Sequence, residues 1–314
     1  MSSESEPTDL DRDVDAAMRM FEKSKVGNSA PIIKKTPERA LVVFDGSDQD
    51  ASGLAAAKFL RERHDCEVYL LDARETKFDQ LDLATQASDE VHEGRPLAQS
   101  EGESYDSILR AVSENKIDLL VVPCPFGRSF ENVGADSVGT VIDVLLARCP
   151  AAMLVLRRDD QPLAECCQRV SMIVGSECDV EDKAAAWAFG FAGEKATVTL
   201  DLVVEKEQFE NIRSIVEALS PDAQLDPEKF SDALTKTHQD IHGAMAKTAS
   251  ASGLSYSLRP QAGEVAPPNP LDDDSKLLLV MPLEVDDRFG QGFVQDRIRR
   301  SPHPVLVVPG HVKA

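Results

Sequence analysis

The chain has 314 residues and a net charge of −21, from 55 acidic and 34 basic side chains. Hydrophobic residues make up 42% of it, which is enough for sizeable cores and too much for a disordered chain. The negative field would repel nucleic acid phosphates and anionic lipids, so neither is an expected partner. No apolar run reaches the ~18 residues that a membrane helix needs, and the acidic N-terminus lacks the apolar core of a secretory signal. We therefore expect a cytoplasmic protein, whose acidity fits either salt adaptation or an ordinary acidic cytosolic protein.

The first predicted elements lie before residue 37. Residues 9–23 carry apolar side chains at the spacing of one helix face, at Leu10, Val14, Ala17, Met18 and Phe21. We expect an N-terminal helix that docks on a domain, followed by a connector, and together they make up residues 1–36.

Residues 37–158 alternate short apolar runs with helical patterns. Continuous apolar runs are typical of strands buried on both faces, and their alternation with helices predicts a parallel sheet covered on both sides. The predicted strands are 40–44, 66–73, 117–123 and 151–157, and the predicted helices are 51–63, 78–91, 102–116 and 139–149. A further short strand is expected near Val91.

A polar linker is predicted at residues 159–168, after which the pattern restarts. Three pairs of segments correspond in order: GSDQDASGLAAA (46–57) with GSECDVEDKAAA (175–186) at an offset of 129, LLVVP (119–123) with LLVMP (278–282), and AMLVL (152–156) with PVLVV (304–308). An ordered repeat of this length predicts two copies of one fold. The sequence therefore predicts two tandem doubly wound α/β domains, residues 37–158 and 169–314, each with a mostly parallel five-stranded sheet.

The second copy differs from the first in detail. Its predicted strands include 198–204 and 254–260, and its predicted helices are 205–219 and 226–251. The proline-rich segment 266–275 predicts that the helix before the fourth strand is missing or very short. Trp187 stands where the first copy has Lys58, and it is expected to fill a core or a domain interface.

Two strand-end loops of the first copy are the candidate ligand site, because doubly wound sheets bind ligands outside the carboxyl ends of their strands. One loop holds Asp45, Gly46 and Ser47, and a strand-end aspartate can accept hydrogen bonds from a ribose diol. The other loop leads to Gly139 and Thr140, where a helix start offers free backbone N–H groups to an anion.

The sequence resembles the universal stress protein family in VVFDGSD, in LLVVP followed by a glycine-containing loop, in GTVIDVLLARCPAAMLVLR and in PVLVV. The resemblance covers residues 40–157 well and 169–309 more loosely. It implies a tandem universal stress protein with the adenine nucleotide alpha hydrolase-like fold. Members of the family usually pair through their last strands, and many, but not all, bind ATP.

The family's nucleotide-binding loop, Gly-x2-Gly-x9-Gly-Ser/Thr, is only half present here. Its first two glycines fall on Pro123 and Phe126, and its last pair fits Gly139-Thr140 if the loop is three residues longer. Each N–H that a phosphate loses in this way would cost about 1.5–3 kcal/mol. Displaced glycines, Gly127 and Gly134, could restore flexibility. The resemblance thus implies weak ATP binding by the residues Asp45, Gly46, Ser47, Gly127, Arg128, Ser129, Gly139 and Thr140, in which Arg128 would offset the repulsion of a triphosphate. The alternative is that Gly139-Thr140 is simply a helix start and Asp45 a turn former.

The second copy is expected to hold no nucleotide. At the offset of 129, Val174 stands in place of Asp45, and Asp286 and Asp287 would repel phosphates. A scaffold or pairing role is the interpretation for this copy.

Cysteines and histidines give no strong signal for a further site. The six cysteines form neither a disulfide framework nor a CxxC pair, so reduced thiols are expected, with a redox role of Cys166-Cys167 as the alternative. His238 and His242 have a spacing that can bind zinc, but no third ligand accompanies them and Gln239 replaces the glutamate of HExxH. A solvated helix face is the favoured interpretation, and no metal site is predicted.

Two functional classes follow from these patterns. The first is a non-catalytic stress-response or signalling module with weak ATP binding in the first copy, and the second is an interaction scaffold that has lost nucleotide binding. An enzyme has less support, because no general base or nucleophile stands near the loops. Protein clients are expected, with either a homodimer or internal pairing of the two copies.

Overall fold

The computed structural model describes residues 29–75, 82–128, 138–158, 161–175, 178–204, 206–219, 225–261, 276–284 and 288–310. The predicted N-terminal helix at 9–23 and the proline-rich segment at 266–275 lie outside these ranges.

The described residues form one sheet of ten strands. Every residue of β4, β5 and β10 is buried, which is the pattern of strands covered on both faces. In chain order the strands are β1 Arg39–Phe44, β2 Glu67–Asp72, β3 Arg95–Leu97, β4 Leu119–Pro123, β5 Ala152–Leu156, β6 Arg169–Val174, β7 Thr197–Val203, β8 Ser255–Gln261, β9 Leu278–Leu283 and β10 Val305–Pro309.

Helices lie on both sides of this sheet. In chain order they are α1 Asp50–His64, α2 Leu83–Ser88, α3 Ser104–Glu114, α4 Thr140–Arg148, α5 Leu163–Cys166, α6 Glu181–Phe191, α7 Lys206–Leu219, α8 Pro227–Thr237, α9 Gln239–Ser252 and α10 Arg288–Arg300. Buried side chains of α1, α2, α5, α6 and α9 belong to the core on one face, and those of α3, α4 and α10 belong to the core on the other. The predicted fold class, a doubly wound and mostly parallel α/β sheet, is confirmed.

The strand order repeats on either side of the sheet's centre. The order is β3-β2-β1-β4-β5-β10-β9-β6-β7-β8, so that β1–β5 and β6–β10 have the same relative arrangement. All neighbours are parallel except β5 and β10, which are antiparallel. Leu154 and Leu306, which correspond in the sequence repeat, lie directly opposite each other in that pair. The two halves are therefore related by an approximate twofold axis through the β5–β10 contact.

The sheet faces on which the strand residues lie show that the offset of 129 between the two halves is one residue too small for the first strands. Val42 and Phe44 of β1 belong to the same core as Met172 and Val174 of β6, and a shift of one residue would turn every side chain to the opposite face. An offset of 130 preserves the faces and the register, since Phe44 is paired with Asp72 and Val174 with Leu202. The position of Asp45 in the second half is thus held by Gly175 rather than by Val174.

Three predicted elements differ from the structure. Val91 is not in a strand: the chain continues in turns after α2, with the N–H of Gly94 bonded to the Val91 carbonyl, and β3 begins only at Arg95. The single helix predicted at 226–251 is two helices that meet at His238, whose backbone angles (φ −96°, ψ 24°) interrupt the helix. The predicted linker contains α5, and its residues Leu163, Cys166 and Cys167 are buried in the core, so it is not simply a polar connection.

The connector before β1 lies across the second half of the chain. The Ile32 N–H donates to Thr248 Oγ1 at 2.7 Å, and the Lys35 N–H donates to the Ala186 carbonyl at 2.9 Å. The Lys35 ammonium lies 2.9 Å from Asp118, which is in the first half. These contacts join the two halves on the face covered by α6 and α9.

Trp187 and Gly190 of α6 form the surface beneath this connector. Trp187 is buried, as predicted, and its ring lies 5.8 Å from the Lys35 ammonium. A Cβ atom at Gly190 would lie 1.8 Å from the Lys35 carbonyl oxygen, so only glycine permits this approach.

Candidate functional site

The candidate site lies at the carboxyl ends of β1 and β4, where the strand order of the first half reverses. Asp45 follows β1 directly and is 6% exposed. Its Oδ1 accepts hydrogen bonds from the N–H and the hydroxyl of Ser47. Its Oδ2 accepts from the N–H of Gly127 at 2.6 Å. One carboxylate therefore holds the two predicted loops together.

Two glycines of these loops adopt left-handed backbone conformations that favour glycine. Gly46 has φ +82° and Gly127 has φ +68°, and a Cβ at Gly127 would meet open space. Gly127 is therefore needed for its backbone angle rather than for room. Its N–H reaches Asp45 because of that turn.

The helix start at Gly139-Thr140 lies close to the same loop. Gly139 precedes α4 with φ +86°, and a Cβ there would be 4.0 Å from the Phe126 nitrogen. Thr140 is exposed, and Gly139, which precedes the helix, has no side chain that could cap it. A helix start presents backbone N–H groups and the positive end of the helix dipole, which attract an anion.

The remaining predicted residues of the loop are less defined. Arg128 is exposed at the end of the described loop, and Ser129 and Gly134 lie outside the described residues. Pro123 is the last residue of β4, and Phe126 packs against the core on the α3–α4 face. Apolar packing therefore takes the place of the front glycines of a phosphate loop.

A buried ion pair next to these loops was not predicted from the sequence. Asp72, at the end of β2, is fully buried, and the Arg74 guanidinium lies 2.6 Å from it. The side chain of Arg74 passes over Gly46, with its Cδ 2.9 Å from the place of a Cβ atom. Arg74 therefore places a positive charge beside the β1 loop, although this charge is paired with the Asp72 carboxylate.

Asp50, in the first turn of α1, binds the backbone of the same loop. Its carboxylate accepts hydrogen bonds from the N–H groups of Asp45 and Gly46 at 3.0 and 2.9 Å. Burial raises the pKa of Asp50 to about 7, and the nearby Asp45 carboxylate acts in the same direction, while the two backbone hydrogen bonds oppose the shift.

Gln49 is a further residue that the sequence did not reveal. It precedes α1, is 3% exposed, and has no hydrogen-bond partner for either Oε1 or Nε2. A glutamine in a loop gives no signal in a sequence, because its burial depends on the packing of the whole loop.

The nearest thiol is a poor nucleophile. Cys124, directly after β4, is fully buried, and burial raises its pKa to about 12. The neutral form therefore predominates at ordinary pH.

The residues at the carboxyl end of β6 differ from those at the carboxyl end of β1. The position of Asp45 is taken by Gly175, and a Cβ atom there would lie 3.2 Å from the ring of Phe293 in α10. Nearby, Glu284 accepts a hydrogen bond from the Asp179 N–H at 2.8 Å. An aromatic ring thus lies against this strand end, and the strand-end residue has no carboxylate.

His238 is buried and His242 is half-buried, so the interpretation of this pair as a solvated helix face is wrong. His238 is 4% exposed, and its Nδ1 lies 3.1 Å from Glu181 Oε1. The Nδ1 of His242 is 2.9 Å from the hydroxyl of Tyr256. The spacing of four residues predicted one continuous helix for both histidines. The helix is instead interrupted at His238, and this break turns the His238 ring toward α6.

Among the residues that the structure describes, no cluster of three or more His, Cys, Asp or Glu side chains could hold a metal ion. All six cysteines are free thiols. No helix within the described ranges combines the length and the apolar character that crossing a membrane requires.

Comparison with known proteins identifies relatives in structure only. The sequence matches no family model and no curated protein sequence. The fold is similar to that of a functionally unknown protein from Pseudomonas aeruginosa PAO1, with a TM-score of 0.56 and 14% identity over 87% of this chain and 92% of that one. It is similar to a protein from Pseudomonas aeruginosa UCBPP-PA14 described as a universal stress protein, with a TM-score of 0.56 and 14% identity over 87% of this chain and 93% of that one. It is also similar to a universal stress protein from Archaeoglobus fulgidus DSM 4304, with a TM-score of 0.55 and 12% identity over 88% of this chain and 97% of that one.

This chain has the universal stress protein fold. Each similarity extends over more than four-fifths of the chain and therefore includes strands from both halves. The universal stress protein fold places the carboxyl ends of β1 and β4 together, which is where Asp45 and Gly127 meet.

Proposed function

We propose that the protein is a tandem universal stress protein, a non-catalytic stress-response or signalling module of the cytoplasm that binds ATP weakly through its first half. The observation that carries this proposal is the position of the Asp45 carboxylate, which meets Gly127 at the reversal of strand order. A carboxylate can accept from a ribose diol there, and the backbone N–H groups at the start of α4 can hold an anion.

The proposed affinity is low because the loop lacks its front glycines. Pro123 supplies no N–H, and Phe126 is packed against the core. With fewer N–H donors for the phosphates, a Kd of about 1 mM is expected, which corresponds to roughly 4 kcal/mol of binding free energy. The second half is proposed to bind no nucleotide and to serve as a pairing partner through β10.

Isothermal titration calorimetry with ATP tests the proposal. Asp45→Asn keeps one oxygen acceptor but removes the charge, and we expect it to weaken ATP binding about tenfold through the loss of a charge-assisted hydrogen bond. Asp232→Asn is the matched control, since Asp232 is an exposed acid of α8 in the other half. Absence of ATP binding at millimolar concentration, or equal affinity of wild type and Asp45→Asn, would remove the nucleotide from the proposal.

The second candidate is a protein-interaction scaffold that has lost its nucleotide. It is favoured by the fact that both Asp45 oxygens already accept hydrogen bonds from the protein itself, from Ser47 and Gly127. In this candidate the β5–β10 pairing replaces the association of two subunits, and protein clients bind elsewhere. A thermal shift with ATP but with neither GTP nor inorganic phosphate would exclude it.

A further inference from the structure

Gln49 has a buried carboxamide that the fold itself does not satisfy. The residue is 3% exposed, and neither of its polar side-chain atoms has a hydrogen-bond partner. Buried amides nearly always have partners, because an unpaired donor or acceptor loses its hydration and gains nothing in exchange. A group of this kind, four residues after Asp45, indicates a partner that comes from outside the chain.

The loop that carries Gln49 is held in place from both ends. At its start, Asp45 is bonded to Gly127 at 2.6 Å, which joins the loop to the one after β4. At its end, Asp50 binds the N–H groups of Asp45 and Gly46. A ligand hydroxyl that takes over the Asp45 carboxylate would replace the bond to Gly127 and would free the loop that carries Gln49 to rearrange.

The chemistry of a carboxamide limits what it can recognise. It presents one acceptor and one donor side by side, so it forms two hydrogen bonds with an edge that offers a donor next to an acceptor. Adenine has such an edge, in which the N6 amino group stands beside a ring nitrogen, and glutamine pairs with it through two bonds.

We propose that Gln49 determines the specificity of the first-half site for adenine. On binding, its Oε1 accepts from the N6 amino group and its Nε2 donates to the neighbouring ring nitrogen. The inference rests on the proposed nucleotide binding, and it adds a residue that selects the base.

The experiment compares ATP with purine riboside triphosphate, which lacks the N6 amino group. Affinities are measured by calorimetry for wild type, for Gln49→Met and for Gln208→Met, the matched control at an exposed position of α7. We expect wild type and Gln208→Met to prefer ATP about tenfold, the value of one hydrogen bond, and Gln49→Met to bind both ligands equally.

Thermal unfolding without ligand provides an independent readout. Methionine has a similar length and no unsatisfied polar atoms, so Gln49→Met should be at least as stable as wild type. A lower melting temperature for Gln49→Met would mean that the carboxamide is bonded within the protein, and this result would overturn the inference.

The outcomes separate the two proposals. If wild type binds ATP and Gln49→Met still prefers ATP over the analogue, the role of Gln49 is wrong and the proposed function stands. If wild type binds neither ligand, the proposed function is wrong and the inference is wrong with it.

Discussion

The carboxyl ends of β1 and β6 occupy corresponding places in the two halves of the sheet but hold different groups. Beyond β1, the buried Asp45 carboxylate joins its own loop to Gly127 of the β4 loop. Beyond β6, the corresponding residue is Gly175, and the ring of Phe293 lies against it. The strand pairings behind these two ends are the same, with β1 between β2 and β4, and β6 between β7 and β9.

This difference shows that the sheet and its strand-end loops depend on different residues. The sheet requires only apolar runs at the right spacing, and both halves retain them. The site requires a carboxylate and glycines at single positions, which change without any cost to the strands. One half of the sheet can therefore keep strand-end groups that the other half lacks.

The helix that follows β6, α6, packs beneath the connector. Gly190→Ala in this helix is the substitution with the largest expected effect. Gly190 of α6 lies beneath the connector, and a Cβ atom there would collide with the backbone of Lys35. Because backbone cannot move aside cheaply, we expect a loss of about 3 kcal/mol in the free energy of unfolding. Urea denaturation would measure it.

Gly292→Ala is the matched control for that variant. Gly292 lies in α10, and a Cβ atom there would meet open space. Alanine favours a helix over glycine, so this variant should gain about 0.5–1 kcal/mol. Equal effects of the two substitutions would contradict the close contact between connector and α6.

A double-mutant cycle at Gly175 and Phe293 sharpens the comparison of the strand ends. Gly175→Asp should cost about 2 kcal/mol because its Cβ meets the Phe293 ring. In the Phe293→Ala background the same substitution should cost about 1 kcal/mol less, since the ring is gone. Denaturation of the four proteins gives the coupling energy, and additive effects would show that the ring does not restrict this position.

The sequence predicted the sheet well because strand signals are local. The apolar runs at β1, β4 and β9 and the glycine-alanine segments after the first strands are sufficient to predict the α/β class and the repeated strand order. The offset between the halves was wrong by one residue because the loop after β6 has a different length. Only the faces of Phe44 and Val174 in the folded sheet reveal this difference.

The contents of the site were less predictable, because they depend on contacts between distant residues. Asp45 and Gly127 are 82 positions apart, and no local pattern indicates that one binds the other. The burial of Gln49 and of His238 likewise follows from how loops and helices pack. Sequence periodicity can place a residue on a helix, but it does not tell which side a break in the helix will turn inward.

The last expected effect concerns the pH dependence of stability, and it compares Asp50 with Asp179 of the loop after β6. The folded-state pKa of Asp50 is raised to about 7, whereas an unfolded aspartate titrates near 4. Between these values the folded protein retains a proton that the unfolded chain releases, so the contribution of Asp50 to stability falls as the pH rises from 4 to 7. Asp50→Asn should remove this contribution and make the decline from pH 5 to pH 7.5 shallower, as measured by urea denaturation at several pH values. Asp179 is exposed, so Asp179→Asn should leave the decline unchanged. Parallel profiles for wild type and Asp50→Asn would mean that the β1 loop does not hold Asp50 half-buried beside Asp45.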